Sequence, residues 1–153
     1  MLNFCFKVAH YLRYPYYYLA RPETYGIRGI ILNERAELLL VKHRYLPGWY
    51  LLGGGIGRNE TPEDALRREI LEEVGLSATI EERFGTYTSE HEYKRDTIHV
   101  FICRVSGEVT KKLGLELQEA RFFPQSALPS DLSPATCRRL EEYLHKSVPA
   151  TVW

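Results

Sequence analysis

Three glutamates, Glu69, Glu72 and Glu73, fall within a five-residue stretch of this 153-residue chain. On a helix they are related as i, i+3 and i+4, so they share one face, where like charges repel by a few tenths of a kcal/mol per exposed pair. Arg68, four residues before Glu72, offsets part of that repulsion but cannot neutralise three carboxylates. Crowded carboxylates suit a hard divalent cation, and Mg²⁺ in particular takes oxygen ligands that it shares with water and substrate phosphates. The run Gly53-Gly54-Gly55 lies upstream, and glycines let the backbone bend sharply and approach a ligand closely. The competing reading is an ordinary solvated face of a surface helix.

The surrounding residues define the element that carries these groups. Thr61 is a good N-cap, Pro62 suits the first helical turn, and Asp64 completes a near capping box with Asp in the place of Glu. Gly75 is the expected stop. The spacing therefore predicts a helix from about Pro62 to Val74, with Leu66, Ile70 and Val74 as its apolar stripe. Upstream, Gly26 to Leu32 and Glu37 to Val41 read as strands joined at the turn Asn33-Glu34-Arg35-Ala36, which suggests a hairpin. Trp49 to Leu52 is a short strand feeding the glycines. Downstream, Thr79 to Tyr87, Thr97 to Val105 and Glu119 to Phe123 read as strands, with Thr88 to Asp96 a loop or strand extension. Pro134 opens a last helix running to about Lys146. Paired strands with two main helices indicate a mixed α/β domain.

Taken together, Gly54, Glu60, Arg68, Glu69, Ile70, Glu72, Glu73, Gly75 and Leu76 occupy fixed spacings. This pattern matches the Nudix box at every defined position, and the chain resembles the Nudix hydrolase superfamily from about Gly26 to Leu144. The resemblance implies an α+β fold, an α/β/α sandwich in which a mixed sheet lies between helices and the box forms loop–helix–loop. Two departures bear on loop geometry rather than metal binding. Leu52 stands where relatives commonly carry Pro, and Gly57 and Asn59 replace an acidic residue and Gly before Glu60.

The resemblance also implies a reaction and roles. Water attacks a phosphorus of the pyrophosphate link in a nucleoside diphosphate joined to another moiety, which is hydrolysis of a phosphorus-containing acid anhydride. Glu69, Glu72 and Glu73, with a backbone carbonyl near Gly53 or Gly54, are the implied ligands of Mg²⁺, with Mn²⁺ as an alternative ion. Arg68 is expected to orient a glutamate, Glu60 to position the loop, and Gly75 to end the helix. The proton acceptor comes from Glu72 or Glu73 or from a later carboxylate, of which Glu116 is preferred over Glu119, Glu90 and Glu92. Arg28, Lys42, Arg44 and Arg58 are candidates for holding phosphate charge. Trp49 and Tyr50 are candidates for stacking on a base, against core packing.

Composition bounds the rest. The length suits one domain, here residues 25–147, preceded by an aromatic-rich N-terminal helical segment (1–24) and followed by a tail (148–153). Lys plus Arg and Asp plus Glu number 20 each, a balance that argues against a stable nucleic-acid partner but not against a small anionic substrate. Cys5, Cys103 and Cys137 form no metal-ligand spacing or disulfide framework, which fits a reducing cytosol. The stretch Leu2 to Ala20 is interrupted by Lys7, His10 and Arg13 and lacks a signal-peptide core. Phe4, Val8, Tyr11 and Leu12 fall near one helical face, expected to pack on the domain or on a second subunit in a homodimer. A peripheral membrane contact is the sharper alternative.

Substrate choice is less legible. At the downstream position where proline marks ADP-ribose relatives this chain has His91. Where tyrosine marks the dinucleoside-polyphosphate group it has Tyr93, a candidate substrate-binding residue. The long motif of the NADH group is absent. A different class of function, a Nudix-fold sensor that binds nucleotides without cleaving them, usually goes with lost box carboxylates, and this chain keeps them.

Overall fold

The computed structural model describes residues 23–89, 95–109 and 116–153. The expected N-terminal helix with its membrane or subunit contact, and Cys5, Glu90, His91, Glu92 and Tyr93, lie outside the described residues. The centre of the sheet is β1 (Glu23–Leu32), in which Ile27 and the run Gly29 to Leu32 are buried, as near-continuous apolar strands in a sheet covered on both faces are. β6 (Arg95–Val105) lies parallel to β1 in unbroken register from Glu23↔Arg95 to Leu32↔Arg104. β5 (Ala78–Ser89) pairs antiparallel with β6 and forms one margin of the sheet. On the other side come β2 (Leu38–His43) and the two-residue β3 (Trp49–Tyr50), giving the order β3-β2-β1-β6-β5.

Two short strands complete the mixed sheet. β4 (Gly53–Gly55) pairs antiparallel with β1 at Gly26, Ile27 and Arg28. β7 (Leu117–Phe123) pairs with β2. The expected β1–β2 hairpin therefore exists only at its neck, at Leu32↔Leu38. Asn33 Oδ1 accepts from the backbone N–H groups of Arg35 and Glu37 at 3.0 and 2.9 Å and turns the chain there. Beyond the turn, β4 occupies the edge of β1 that a longer hairpin would need. The glycine run, which the sequence marks only as a flexible stretch fed by a short strand, is thus itself a strand. Gly53 is required for it, because a Cβ there would fall on the Ile27 carbonyl.

Among the described residues one helix covers each face. α1 (Pro62–Val74) begins at Thr61, whose Oγ1 accepts from the Asp64 N–H at 3.1 Å, and ends at Gly75 with φ 76°. The Asp64 carboxylate accepts from the Thr61 hydroxyl at 2.8 Å, so the capping exchange closes through side chains. Leu66, Ile70 and Val74 are fully buried against Ile27, Ile31, Leu39, Val41 and Leu52 of the sheet. α2 (Pro134–Leu144) is capped by Ser133 and places Leu140 against Ile30, Leu40, Trp49, Tyr87 and Val100 on the opposite face. Cys103 is buried and Cys137 half-buried, both free thiols. Among the described residues no helix is long and apolar enough to cross a membrane.

Candidate active site

The register that buries Leu66, Ile70 and Val74 leaves Glu69 of α1 facing β4. Gly54 lies close enough to Glu69 that a Cβ at that position would fall on its carboxylate. Arg68 ties the loop to the helix. Its Nε and Nη2 donate to Glu60 at 2.9 and 3.1 Å, and Nη1 donates to Glu69 at 2.8 Å and to Glu72 at 3.3 Å. Nη2 also donates to the Gly55 carbonyl at 3.2 Å. Glu60 in turn accepts from the Gly57 N–H at 2.8 Å. Hydrogen bonding from Arg68, then from Gly57, holds the Glu60 carboxyl below its ordinary range. The same bonds to Glu60 and Glu69 drive the Arg68 guanidinium well above its own. Arg68 therefore remains charged and fixes the carboxylates around it.

Glu73 differs from its neighbours. Burial, followed by the charges of Glu69 and Glu116, pushes its carboxyl up to about 7 against the opposing pull of Arg28. Its Oε2 is buried with no hydrogen-bond partner among the described residues. An unsatisfied buried carboxylate oxygen costs roughly 1–3 kcal/mol or more, so a positive group placed there would be stabilised. Among the described residues no three His, Cys, Asp or Glu side chains converge closely enough to hold a metal ion by themselves. The arrangement is a half-shell of carboxylates open to water and phosphate oxygens, which is how Mg²⁺ is usually held. The groups that could contribute to holding a divalent cation are Glu73, Glu69 and the Gly54 backbone, with Glu72 on the exposed flank.

The strands bring further groups to this centre. Arg28, on β1, lies in the field of Glu73, Glu69 and Asp96, while burial pulls its guanidinium below the ordinary value. Glu116 lies within the field of Glu73, and its carbonyl accepts the Arg44 N–H at 3.0 Å, so both stand where β2 meets β7. Arg58 is exposed on the loop before α1 and touches none of the carboxylates among the described residues. Glu119 is taken by Arg121. Lys42 turns away, donating to Asp131 at 3.1 Å, with its ammonium 5.2 Å from the Trp49 ring centre. Trp49, at 5% exposure, is a core residue rather than a stacking platform.

Sequence reasoning missed His43. Burial, then the nearby Arg28 charge, lowers its imidazole below the usual range, while Glu116 pulls the other way. A lone histidine at a strand end carries no spacing signature. Only the pairing of β2 with β7 places it here.

A mixed sheet between two helices, with glutamates on one helix beside a glycine strand, defines an α+β domain with a carboxylate-bearing site. The family profile described as NUDIX domain matches residues 22–143. A Bacillus subtilis (strain 168) protein provisionally named 8-oxo-dGTP diphosphatase is 32% identical over 120 residues, covering 78% of this chain and 79% of the relative. A Methanocaldococcus jannaschii protein named ADP-ribose pyrophosphatase is 36% identical over 109 residues, covering 68% and 63%. The crystal structure of the MutT protein from Methanosarcina mazei Go1 matches with a TM-score of 0.69 and 25% identity, over 82% of this chain and 95% of that one. The chain belongs to the NUDIX family and stands among its pyrophosphohydrolases.

Proposed function

We propose that this enzyme hydrolyses the pyrophosphate link of a nucleoside diphosphate joined to another moiety, and that it depends on a divalent cation, Mg²⁺ or alternatively Mn²⁺. The observation that carries the reading is the buried, unpartnered Oε2 of Glu73 beside the Gly54–Glu69 contact. Glu69, Glu72, Glu73 and the Gly54 carbonyl hold the ion. When bound, it supplies charge neutralisation on the phosphates and lowers the pKa of the attacking water. Arg68 and Glu60 fix the glutamates and the loop, and Gly75 fixes where the helix ends. Glu116 accepts the proton of the attacking water, with Glu72 and Glu73 as the acceptors if it does not. Water adds to one phosphorus, the bridging P–O bond breaks, and its electron pair leaves on the other phosphate. Arg28, Arg44 and Arg58 balance phosphate charge.

The names of the two relatives point to different substrates, an oxidised purine triphosphate and ADP-ribose. Both molecules contain a nucleoside diphosphate, and that shared unit is the proposed substrate class. The free thiols Cys103 and Cys137 support a reducing cytosol as its setting. The test is a screen of nucleoside-diphosphate compounds with and without Mg²⁺, run on the wild type and Glu73→Gln, with Mg²⁺ binding followed by calorimetry. Turnover should require Mg²⁺ and fall at least a thousandfold in the variant, with weaker Mg²⁺ binding. Tight nucleotide binding without turnover on any compound would replace the hydrolase by a sensor.

A further inference from the structure

We propose that His43 and Tyr50 form the wall that receives the substrate's planar heterocycle, a nucleobase, and so select nucleotides over diphosphates that lack a base. The inference rests on the hydrolase reading above and deepens it. Strand alternation separates the two aromatic residues of β3. Trp49 turns to the α2 face and meets Phe123 edge-on, with centroids 4.8 Å apart. Tyr50 turns to the α1 face, packs only partly against that core, and stays half-buried.

The register of β2 does the rest. Val41 pairs with Tyr50 across β3, and the pairing with β7 slips between Lys42 and His43. Such bulges re-aim a side chain and recur beside active sites. Here the His43 ring meets the Tyr50 ring edge-on, with centroids 5.3 Å apart and planes at 71°. The Tyr50 hydroxyl donates to the Pro47 carbonyl at 3.0 Å, which anchors the phenol by its tip. Among the described residues nothing hydrogen-bonds either imidazole nitrogen of His43. No described residue therefore competes with heterocycle edge groups for these nitrogens.

Position decides what this wall serves. His43 pairs with Leu117, the neighbour of Glu116, and Tyr50 lies three residues before β4, whose Gly54 meets the Glu69 carboxylate. The aromatic pair thus borders the carboxylate centre. On its outer side the β2–β3 loop exposes Tyr45 and Leu46, at 39% and 53% exposure, which extend the rim with apolar surface. One end of the site suits phosphates and a cation, and the other suits a flat, partly apolar group with polar edges. A nucleoside diphosphate has both ends.

The competing explanation, that Tyr50 and His43 merely pack, predicts lost stability without discrimination between substrates. Steady-state kinetics of His43→Ala, Tyr50→Ala and Tyr50→Phe on an ADP-sugar and on the same diphosphate lacking adenine separate the two. The alanine variants should raise KM for the ADP-sugar about tenfold, as loss of an aromatic base contact does. Their kcat should stay within about twofold, and the base-free compound should be unaffected. Tyr50→Phe, which keeps the ring, should behave as wild type. AMP binding by calorimetry should weaken about tenfold in His43→Ala. KM rising equally for both compounds, or AMP binding that does not change, overturns the wall. A wild type that turns over no nucleoside-diphosphate compound of the screen, yet loses AMP affinity on His43→Ala, overturns the hydrolase reading and leaves the wall standing.

Discussion

Glu73 is a carboxylate buried without a hydrogen-bond partner for its Oε2 among the described residues. Its folded-state carboxyl titrates near 7 against an ordinary 4.5, chiefly through burial. The fold thus favours the neutral form. Without a divalent ion, the stability contributed at this group is complete below pH 4.5 and is lost as pH rises toward 7. With solvent screening discounted for a partly exposed group, the loss is about 1–2 kcal/mol. Urea melts of the metal-free protein should therefore show stability falling across that window, and Glu73→Gln should flatten the slope. Mg²⁺ should restore wild-type stability at pH 7.5 and do little for the variant. A parallel fall in both proteins would place the titrating group elsewhere. The other two glutamates of the cluster already have partners in Arg68, which leaves the strongest demand for a cation on Glu73.

At the scale of elements, β4 shows that three adjacent glycines are not equivalent. A Cβ at Gly53 would strike the Ile27 carbonyl, whereas one at Gly55 meets nothing within 4 Å. Gly53→Ala should cost more than about 2 kcal/mol by breaking the β1–β4 pairing, and Gly55→Ala should stay within about 0.5 kcal/mol. Thermal melts of the two variants check this, and equal losses would refute the assigned pairing. The same strand marks where sequence reading stops. α1 was legible to both ends, Pro62 and Val74, because caps and apolar spacing are local chemistry. The glutamates shared that legibility, since i, i+3 and i+4 fix their common face. β4 was not legible, because glycines carry no alternation. Nor was the choice of β7 over β1 as the main partner of β2, because pairing between strands distant in sequence leaves no local mark. Likewise His43 and Glu116 approach one another only after that pairing forms, so the centre could be recognised before its outer wall.

Across the whole molecule, the C-terminal residues close the margin of the sheet opposite β3. From the sequence, residues 148–153 read as a tail. In the structure the Thr88 N–H donates to Thr151 O at 2.8 Å, and the Trp153 N–H donates to Thr88 O at 2.9 Å, so both backbone groups of Thr88 on β5 are occupied. A buried cation locks this strap in place. Arg139 of α2, with its side chain at 1% exposure, pairs with Glu142 at 2.8 Å and donates to Val152 O at 3.0 Å. Its guanidinium lies 4.1 Å from the Tyr87 ring centre and 5.5 Å from that of Trp153. Tyr87 closes the network by donating to Glu142 at 2.9 Å. Removing the strap takes away an acceptor and an aromatic face from a buried charge, a change of the kind that costs about 3–5 kcal/mol. It also leaves the end of a marginal strand unpaired, which invites association between copies. Deletion of residues 148–153 should therefore lower the melting temperature by well over 5 °C, at roughly 1 kcal/mol per 2–4 °C for a chain of this length. It should also produce concentration-dependent self-association in sedimentation. Trp153→Ala should reproduce most of the thermal loss with little association, because the backbone contacts at Thr88 remain. Turnover per folded molecule at 20 °C should hold in both, since the strap lies on the α2 side of the sheet and the glutamates on the α1 side. A deletion that melts like wild type would show that Arg139 is held without the strap.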